Sequence, residues 1–530
     1  MAMYLNQNSN KFISYKNDDI FVDKSLLIKE TNASLNKESK KFMCVTRPRR
    51  FGKTLALSML NAYYSKGCDS RELFKDLALS KDPSFEEHLN KHNVLWVDMS
   101  EFYTYLDDPN DFLKKLNAEV VAELKENYGD FDFSGLKLGE AIRLINSRTG
   151  DTFVFLIDEW DVVYREQPHN RKLCEDYTMF LRSLFKSSRS SDCYDLVYMT
   201  GIFPIKRYST QSTLNMFREY NMLEPRGLAP LFGFTEAEVR ELCAKHGADF
   251  EQIKSWYDGY RLGGIEVYNP KSVVEAISKK RCSNYWLESS SIEAVTDYMN
   301  YDHGVLKGEI TRMLTGERVG LDADPFRSDF TRVDSKEAAL TILVHLGYLG
   351  YIPGERGGEP GSCYIPNEEI RSEFEKALKK LDWKDIYDPI GNSPKLLKAT
   401  ISGDVGEIDR ALDKYHKELA SPFSKNDEGV LGVIVSVCYY RAKEHYAVKK
   451  EEISMNGRSD VSFFPTSGGY KPIIVELKVG KSPDEAIAQI KRKRYWEAWP
   501  PYKGDVLLVG INYEEETLKH TSKVEWIKVK

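Results

Sequence analysis

The clearest signal in the chain is "FMCVTRPRRFGKTLALSML", residues 42–60. An apolar run, Phe42–Val45, passes into a loop of arginines, then Gly52-Lys53-Thr54, then a helix-period segment from about Leu55. Strand, glycine-bearing loop and helix in that order make a phosphate-binding loop, G-x-x-x-x-G-K-[ST]. Arg47 stands where the first glycine is expected. The binding groups survive that exchange. Gly52 lets the backbone approach phosphate, Lys53 offers a mobile cation to the β- and γ-phosphates of ATP, and Thr54 offers a hydroxyl to Mg²⁺. The helix start adds N–H groups and partial positive charge. Pro48 fixes φ. Arg49 and Arg50 are expected to fold over the polyphosphate, with Arg47 counted among the nucleotide contacts.

The neighbouring pattern agrees. Strand-length apolar runs, "FMCV" (42–45), "VLWVDM" (94–99), "FVFLID" (153–158) and "DLVYMTG" (195–201), alternate with helix-period segments such as "PNDFLKKLNAEVVAELKENY". Alternation of this kind predicts an α/β fold, a parallel sheet with helices on both faces and ligands at the C-terminal strand ends. "TFVFLIDEWD" ends its strand in two carboxylates, which packing alone does not explain. Asp158 is assigned to Mg²⁺ through water and Glu159 to the attacking water. Thr200 is a candidate γ-phosphate sensor. Lys206, Arg207 and Arg226 read first as surface charges and second as cationic partners.

A second constellation lies in "RSDVSFFPTSGGYKPIIVELKVG", residues 458–480. Residues two apart on a strand share a face, so Glu476 and Lys478 point together, with Leu477 opposite. A hairpin through "TSGGY" brings Asp460 beside Glu476. Two carboxylates at one strand pair suit Mg²⁺, with Mn²⁺ as the alternative ion, and Lys478 can offset charge at a phosphodiester. "KRKR" (491–494) reads as a solvated helix surface, with phosphate contact as the rival; Trp496 and Trp499 follow as stacking candidates.

The bulk numbers bound these readings. At 530 residues the chain is too long for one core, and about two to four domains are expected. A net charge of −6 argues against a protein that coats nucleic acid. Residues 421–530 carry 18 Lys+Arg against 15 Asp+Glu, the remainder 57 against 66: a mildly basic tail on an acidic body. The eight cysteines are scattered without a C-x-x-C pair, which suits a reduced, cytoplasmic setting. No apolar run reaches the ~20 residues of a membrane span, and the N-terminus lacks a signal-peptide core. The longest run, "GVLGVIVSVCYY" (429–440), fits a buried helix or strand.

With those motifs in view, the chain resembles the bacterial AAA-ATPase-like proteins that join a P-loop ATPase to a C-terminal nuclease-fold domain. The stretches that carry the likeness are "IFVDKSLLIKE" (20–30), "TRPRRFGKTLALSML" (46–60), "FLIDEWD" (155–161), "LFGFTEAEV" (231–239), "WYDGYRLGG" (256–264), "VYNPKSV" (267–273) and "YWLESS" (285–290). The resemblance implies that the arginine-bearing loop is a working phosphate loop. It also implies an extra strand between the loop strand and the Asp-Glu strand. In its C-terminal PD-(D/E)XK domain, Asp460, Glu476 and Lys478 match the core, Glu428 the metal-site acid of the first helix, and Gln489 the polar residue of the following helix, with Tyr495 after it.

Four segments are therefore expected: an ATPase over 1–234, a helical lid and winged-helix region over 235–382, a helical connector over 383–420, and a nuclease-like domain over 421–530. The expected function is ATP binding and hydrolysis coupled to Mg²⁺-dependent cutting of DNA or another nucleic acid. The alternative is an ATP-switched module that binds nucleic acid or protein without cutting. No membrane partner is expected, and a homo-oligomer is compatible with the fold.

Overall fold

The computed structural model describes the chain apart from residues 1, 187, 206–213, 287–291, 300–304, 324–334, 357, 421–426, 455–456, 467, 499–501 and 530. Lys206, Arg207 and Trp499 thus lie outside the described residues. The chain divides into two compact units, one of residues 1–291 and 320–370, the other of 292–319 and 371–530.

The first unit is built on five parallel strands: β1 (Phe42–Thr46), β2 (Asn93–Asp98), β3 (Phe153–Asp158), β4 (Tyr194–Gly201) and β5 (Arg218–Tyr220). Their order is β2-β3-β4-β1-β5, so β4 lies between the loop strand and the Asp-Glu strand. Alternate residues feed two cores. Phe42, Cys44, Leu95, Phe155 and Val197 face one side, and Met43, Val45, Trp96, Leu156 and Tyr198 the other. Both faces are covered, as parallel strands require. Helix α1 (Lys53–Tyr64) follows the loop, and its Leu57, Met59 and Leu60 pack on the second side. This is the P-loop NTPase arrangement.

Beyond the sheet the unit continues as short helices. The one over Glu236–His246 opens on a capping box in which Thr235 and Glu238 each bond the other's backbone N–H. Residues 235–291, the first part of the region expected over 235–382, belong to the same compact unit as the sheet. One physical cause is visible: Ile20 and Val22 of the N-terminal segment pack into the core of these helices, and Lys24 pairs with Glu238 at 2.7 Å. Helix Lys336–Leu346 and the hairpin of Gly350–Ile352 with Gly361–Tyr364 follow, in the helix–strand–turn–strand order expected from the glycine-rich stretch.

The second unit centres on a mixed sheet of β6 (Tyr446–Ser454), β7 (Gly457–Pro465), β8 (Ile473–Val479), β9 (Gly504–Glu514) and β10 (Lys519–Val529), in that order. Only β8 and β9 are parallel; helix α3 (Pro483–Lys493) makes the crossover between them. Helix α2 (Glu428–Cys438) is capped by the Asp427 carboxylate, which accepts from Val430 N at 3.0 Å. Apart from a face of Glu428, Gly432 and Ser436 it is apolar and buried, the first of the two conformations open to that run. Among the described residues, no helix is long and apolar enough to cross a membrane.

Candidate active sites

In the first unit a cavity of about 1270 Å³ opens at the C-terminal strand ends, where α1 begins. Arg49, Arg50, Gly52, Lys53, Thr54, Asp158 and Glu159 all line it. Gly52 has φ +84°, and a Cβ there would meet nothing within 4 Å, so backbone conformation rather than crowding selects glycine. Lys53 is buried; its ammonium donates to the carbonyls of Arg47 (3.1 Å) and Pro48 (3.2 Å) and lies 3.7 Å from Glu159 Oε1.

The two strand-end acids have opposite electrostatics. Asp158 accepts from Thr54 Oγ1 at 2.8 Å and from Thr200 Oγ1. Burial, with Glu159 and Asp98 nearby, pushes its carboxyl up to about 6, against the pull of the two threonines. Asp98 belongs to this cluster because the β2–β3 register sets it opposite Asp158. For Glu159 burial again opposes ionisation, but Lys53, Arg165 and Arg49 outweigh it and hold the carboxylate below its usual range. A divalent cation with an ATP phosphate fits here: Thr54 and Asp158 supply hard oxygens at hydrogen-bond distance from each other, at a helix N-terminus.

Two nucleotide contacts named from sequence stand outside the cavity lining. Arg47 does not reach the cavity. It is fully buried and donates to the carbonyls of Thr46 (2.8 Å) and Tyr220 (2.9 Å), with its guanidinium carbon 5.3 Å from the Phe232 ring centroid. It prolongs the face of Met43 and Val45, which points at the α1 side of the sheet. Thr200 is likewise absent from the cavity lining, its hydroxyl spent on Asp158. Arg226 is also outside the lining and pairs with Glu224 at 3.4 Å.

Sequence reasoning missed Asp161 and Arg165. Asp161 is fully buried, accepts from the N–H groups of Ile202 (3.1 Å) and Phe203 (2.8 Å), and faces Arg165 Nε at 3.3 Å. The signal was present in "DEWD", whose last acid was left without a role. The cavity is closed further by Tyr15, Ile20, Val22, Leu231, Phe234 and Val274, contributions that no local motif announces.

In the second unit the expected residues gather at one strand. The β7–β8 register pairs Val461 with Val475, and one step on, the Asp460 carboxylate accepts from Leu477 N at 2.6 Å. Lys478 Nζ donates to Glu476 Oε1 (3.0 Å) and the Leu477 carbonyl (2.8 Å), and lies 3.9 Å from Glu428 Oε1. Gln489 donates to the same Glu476 oxygen and to Tyr495 Oη. Gly510, paired with Glu476, permits this: a Cβ there would lie 2.4 Å from the Pro483 carbonyl and 3.0 Å from Ala486 Cβ. Helix α3 therefore rests directly on β9, and Gln489 reaches the acid.

Glu476 is buried, and among the described residues its Oε2 has no hydrogen-bond partner. Burial and the Asp460 charge push its carboxyl up to about 7, despite Lys478. A buried acceptor left open beside a second carboxylate fits a divalent cation held by Glu476 and Asp460, with the half-exposed Glu428 at the rim. Of the basic run, Lys491 pairs with Glu525 and Arg494 with Glu497, as on a solvated helix surface.

Comparison with known proteins bears on the first unit. The family model described as "Predicted AAA-ATPase" matches residues 9–210. Over those residues the chain is similar to predicted AAA-type ATPases. A curated relative, the uncharacterized protein in the vnfD 5′ region of Azotobacter chroococcum mcd 1, is 22% identical over 490 residues, covering 89% of this chain and 90% of the relative. Three solved structures are similar at low TM-scores. Cdc6p from Pyrobaculum aerophilum is 10% identical over 68% of this chain and 92% of its own, with TM-score 0.25. The Aeropyrum pernix ORC2 protein in its ADPNP–ADP complexes is 11% identical over 71% and 93%, with TM-score 0.30. The Aeropyrum pernix ORC1 protein in complex with DNA is 12% identical over 72% and 98%, with TM-score 0.24.

Proposed function

We propose that the first unit binds and hydrolyses ATP and that the second cuts phosphodiester bonds of DNA or another nucleic acid with a divalent cation, ATP turnover governing the cutting module. The ATPase half is supported by the family match together with Lys53, Thr54, Asp158 and Glu159 in one cavity. In this reading the α1 N-terminus and Gly52 receive the phosphates. Lys53 leaves the Arg47 and Pro48 carbonyls for the β- and γ-oxygens, Thr54 and Asp158 hold Mg²⁺, Thr200 fixes Asp158, and Glu159 draws a proton from the attacking water.

The nuclease half rests on one observation: Asp460, Glu476, Lys478 and Gln489 converge at β8 with a buried Glu476 oxygen left open. When bound, Mg²⁺ or Mn²⁺ supplies a water of lowered pKa and offsets charge at phosphorus. Lys478 places a second positive charge beside the scissile phosphate, and Gln489 fixes the rotamer of Glu476. The helical and winged-helix-like region expected over 235–382 is read as holding DNA or passing on the nucleotide state.

The test is direct. Plasmid and single-stranded DNA are incubated with Mg²⁺ or Mn²⁺, with and without ATP, using wild type and Lys478→Ala. Metal-dependent cutting lost in the variant supports the reading. Cutting that survives Lys478→Ala sinks the assigned site, and retardation without cutting leaves the ATP-switched binding module in its place.

A further inference from the structure

We infer that Arg165 is a positioning residue for Glu159, and that Lys53 and Arg165 form a two-sided latch on this carboxylate which a bound polyphosphate opens on the Lys53 side. The inference rests on the ATPase reading above. Both Glu159 oxygens are engaged by cations: Oε2 accepts from Arg165 Nη2 at 2.5 Å, and Oε1 lies 3.7 Å from Lys53 Nζ. Each oxygen of the carboxylate is thus turned toward a cation. Arg165 itself is held fast, because its Nε faces Asp161, which is anchored on the two N–H groups just past β4.

The backbone is fixed with the same care. Glu159 has φ +48°, a region that non-glycine residues seldom occupy and that persists only when the surroundings impose it. Here Trp160 N donates to the Thr200 carbonyl (2.9 Å), Tyr177 Oη donates to the Trp160 carbonyl (2.6 Å), and Trp160 Nε1 donates to the Phe203 carbonyl (3.2 Å). Gly201 makes room, since a Cβ there would lie 2.6 Å from Trp160 Cδ1 and 2.7 Å from Asp161 Oδ1. The turn and Arg165 thus form one rigid bracket. Of the two cations that meet its oxygens, only Lys53 has another task, on the phosphates, a side it shares with the nearby Arg49. When it takes that task up, Oε1 is released while Oε2 stays on Arg165, and the base is aimed only when substrate is present.

The test uses the full chain as wild type, Arg165→Ala, Arg165→Lys, Glu159→Gln and the double variant Arg165→Ala/Glu159→Gln. ATP turnover and the affinity for a fluorescent ATP analogue are measured for each. Arg165→Ala is expected to lower kcat at least about tenfold, with KM and analogue affinity within about threefold of wild type. Arg165→Lys should recover part of the loss, and in the Glu159→Gln background Arg165→Ala should have no further effect. Glu159→Gln alone should bind the analogue about threefold or more tighter, because Lys53 is no longer held back. Equal losses from Arg165→Ala in both backgrounds, or a fall in affinity that matches the fall in kcat, would overturn the inference. Should Arg165→Ala fail to fold, Arg165→Lys carries the same comparison: a loss in wild type that persists undiminished in Glu159→Gln overturns it too. A wild type that binds the analogue yet never turns over ATP removes the hydrolase reading, and this inference with it; the other failures leave that reading standing.

Discussion

Lys53 and Glu476 are both ionisable side chains held in the interior. Lys53 rests on two carbonyls of its own loop, a weak substitute for phosphate. Lys53→Ala should reduce ATP-analogue affinity at least about a hundredfold, read by fluorescence titration, because a charge-assisted contact to phosphate is lost from a desolvated site. Glu476 makes a pH-dependent prediction. Its folded value of about 7 lies above the ordinary 4.5, so the folded chain keeps a proton that the unfolded chain releases. Stability of the metal-free second unit therefore falls as pH rises from about 4.5 to about 7. Glu476→Gln should raise its melting transition at pH 8, by something on the order of 1–3 kcal/mol, and leave it unchanged near pH 4. Mg²⁺ should raise the same transition in wild type and not in the variant. Residue identity told only part of this from sequence. The Glu-x-Lys spacing placed two side chains together because strand periodicity is rigid. Arg47 misled because charge suggests phosphate, whereas its place on the Met43–Val45 face made it an interior cation.

The elements were easier to read where hydrophobic runs were long. The strands over 42–46, 93–98, 153–158 and 194–201 follow their apolar runs to within a residue or two, and the capping box at Thr235 appears where Thr and Glu are three apart. The three-residue β5 was invisible, being too short to show a period, and its partner role depends on the distant β1. Helix α3 illustrates what an element contributes to a site. Its close seat on Gly510 is the reason Gln489 meets Glu476. Gly510→Ala should force the helix outward and cost about 1–3 kcal/mol, seen as a lowered melting transition, and should cut any metal-dependent DNA cleavage by about tenfold or more. Removal of the α2 cap by Asp427→Ala is expected to cost about 1 kcal/mol without touching ATP turnover.

At the scale of the whole molecule, the two candidate sites stand on separate sheets in separate compact units. Asp460→Ala should abolish cutting while ATP turnover stays within about twofold of wild type, because the substitution removes one carboxylate from the second unit alone. Parallel assays of phosphate release and plasmid nicking check it. The organisation at this scale was the least legible part of the sequence, since membership in a core depends on contacts between distant segments. Nothing local in residues 292–319 announces that they belong with residues 371–530. That interleaving has a consequence for how the protein is made. A ribosome delivers the chain in order, so the first unit lacks its final piece until residue 370 has emerged, and residues 292–319 wait for partners not yet synthesised. Neither unit can be lifted out by a single cut, because trimming after 291 or starting at 421 removes residues that belong to the same compact unit.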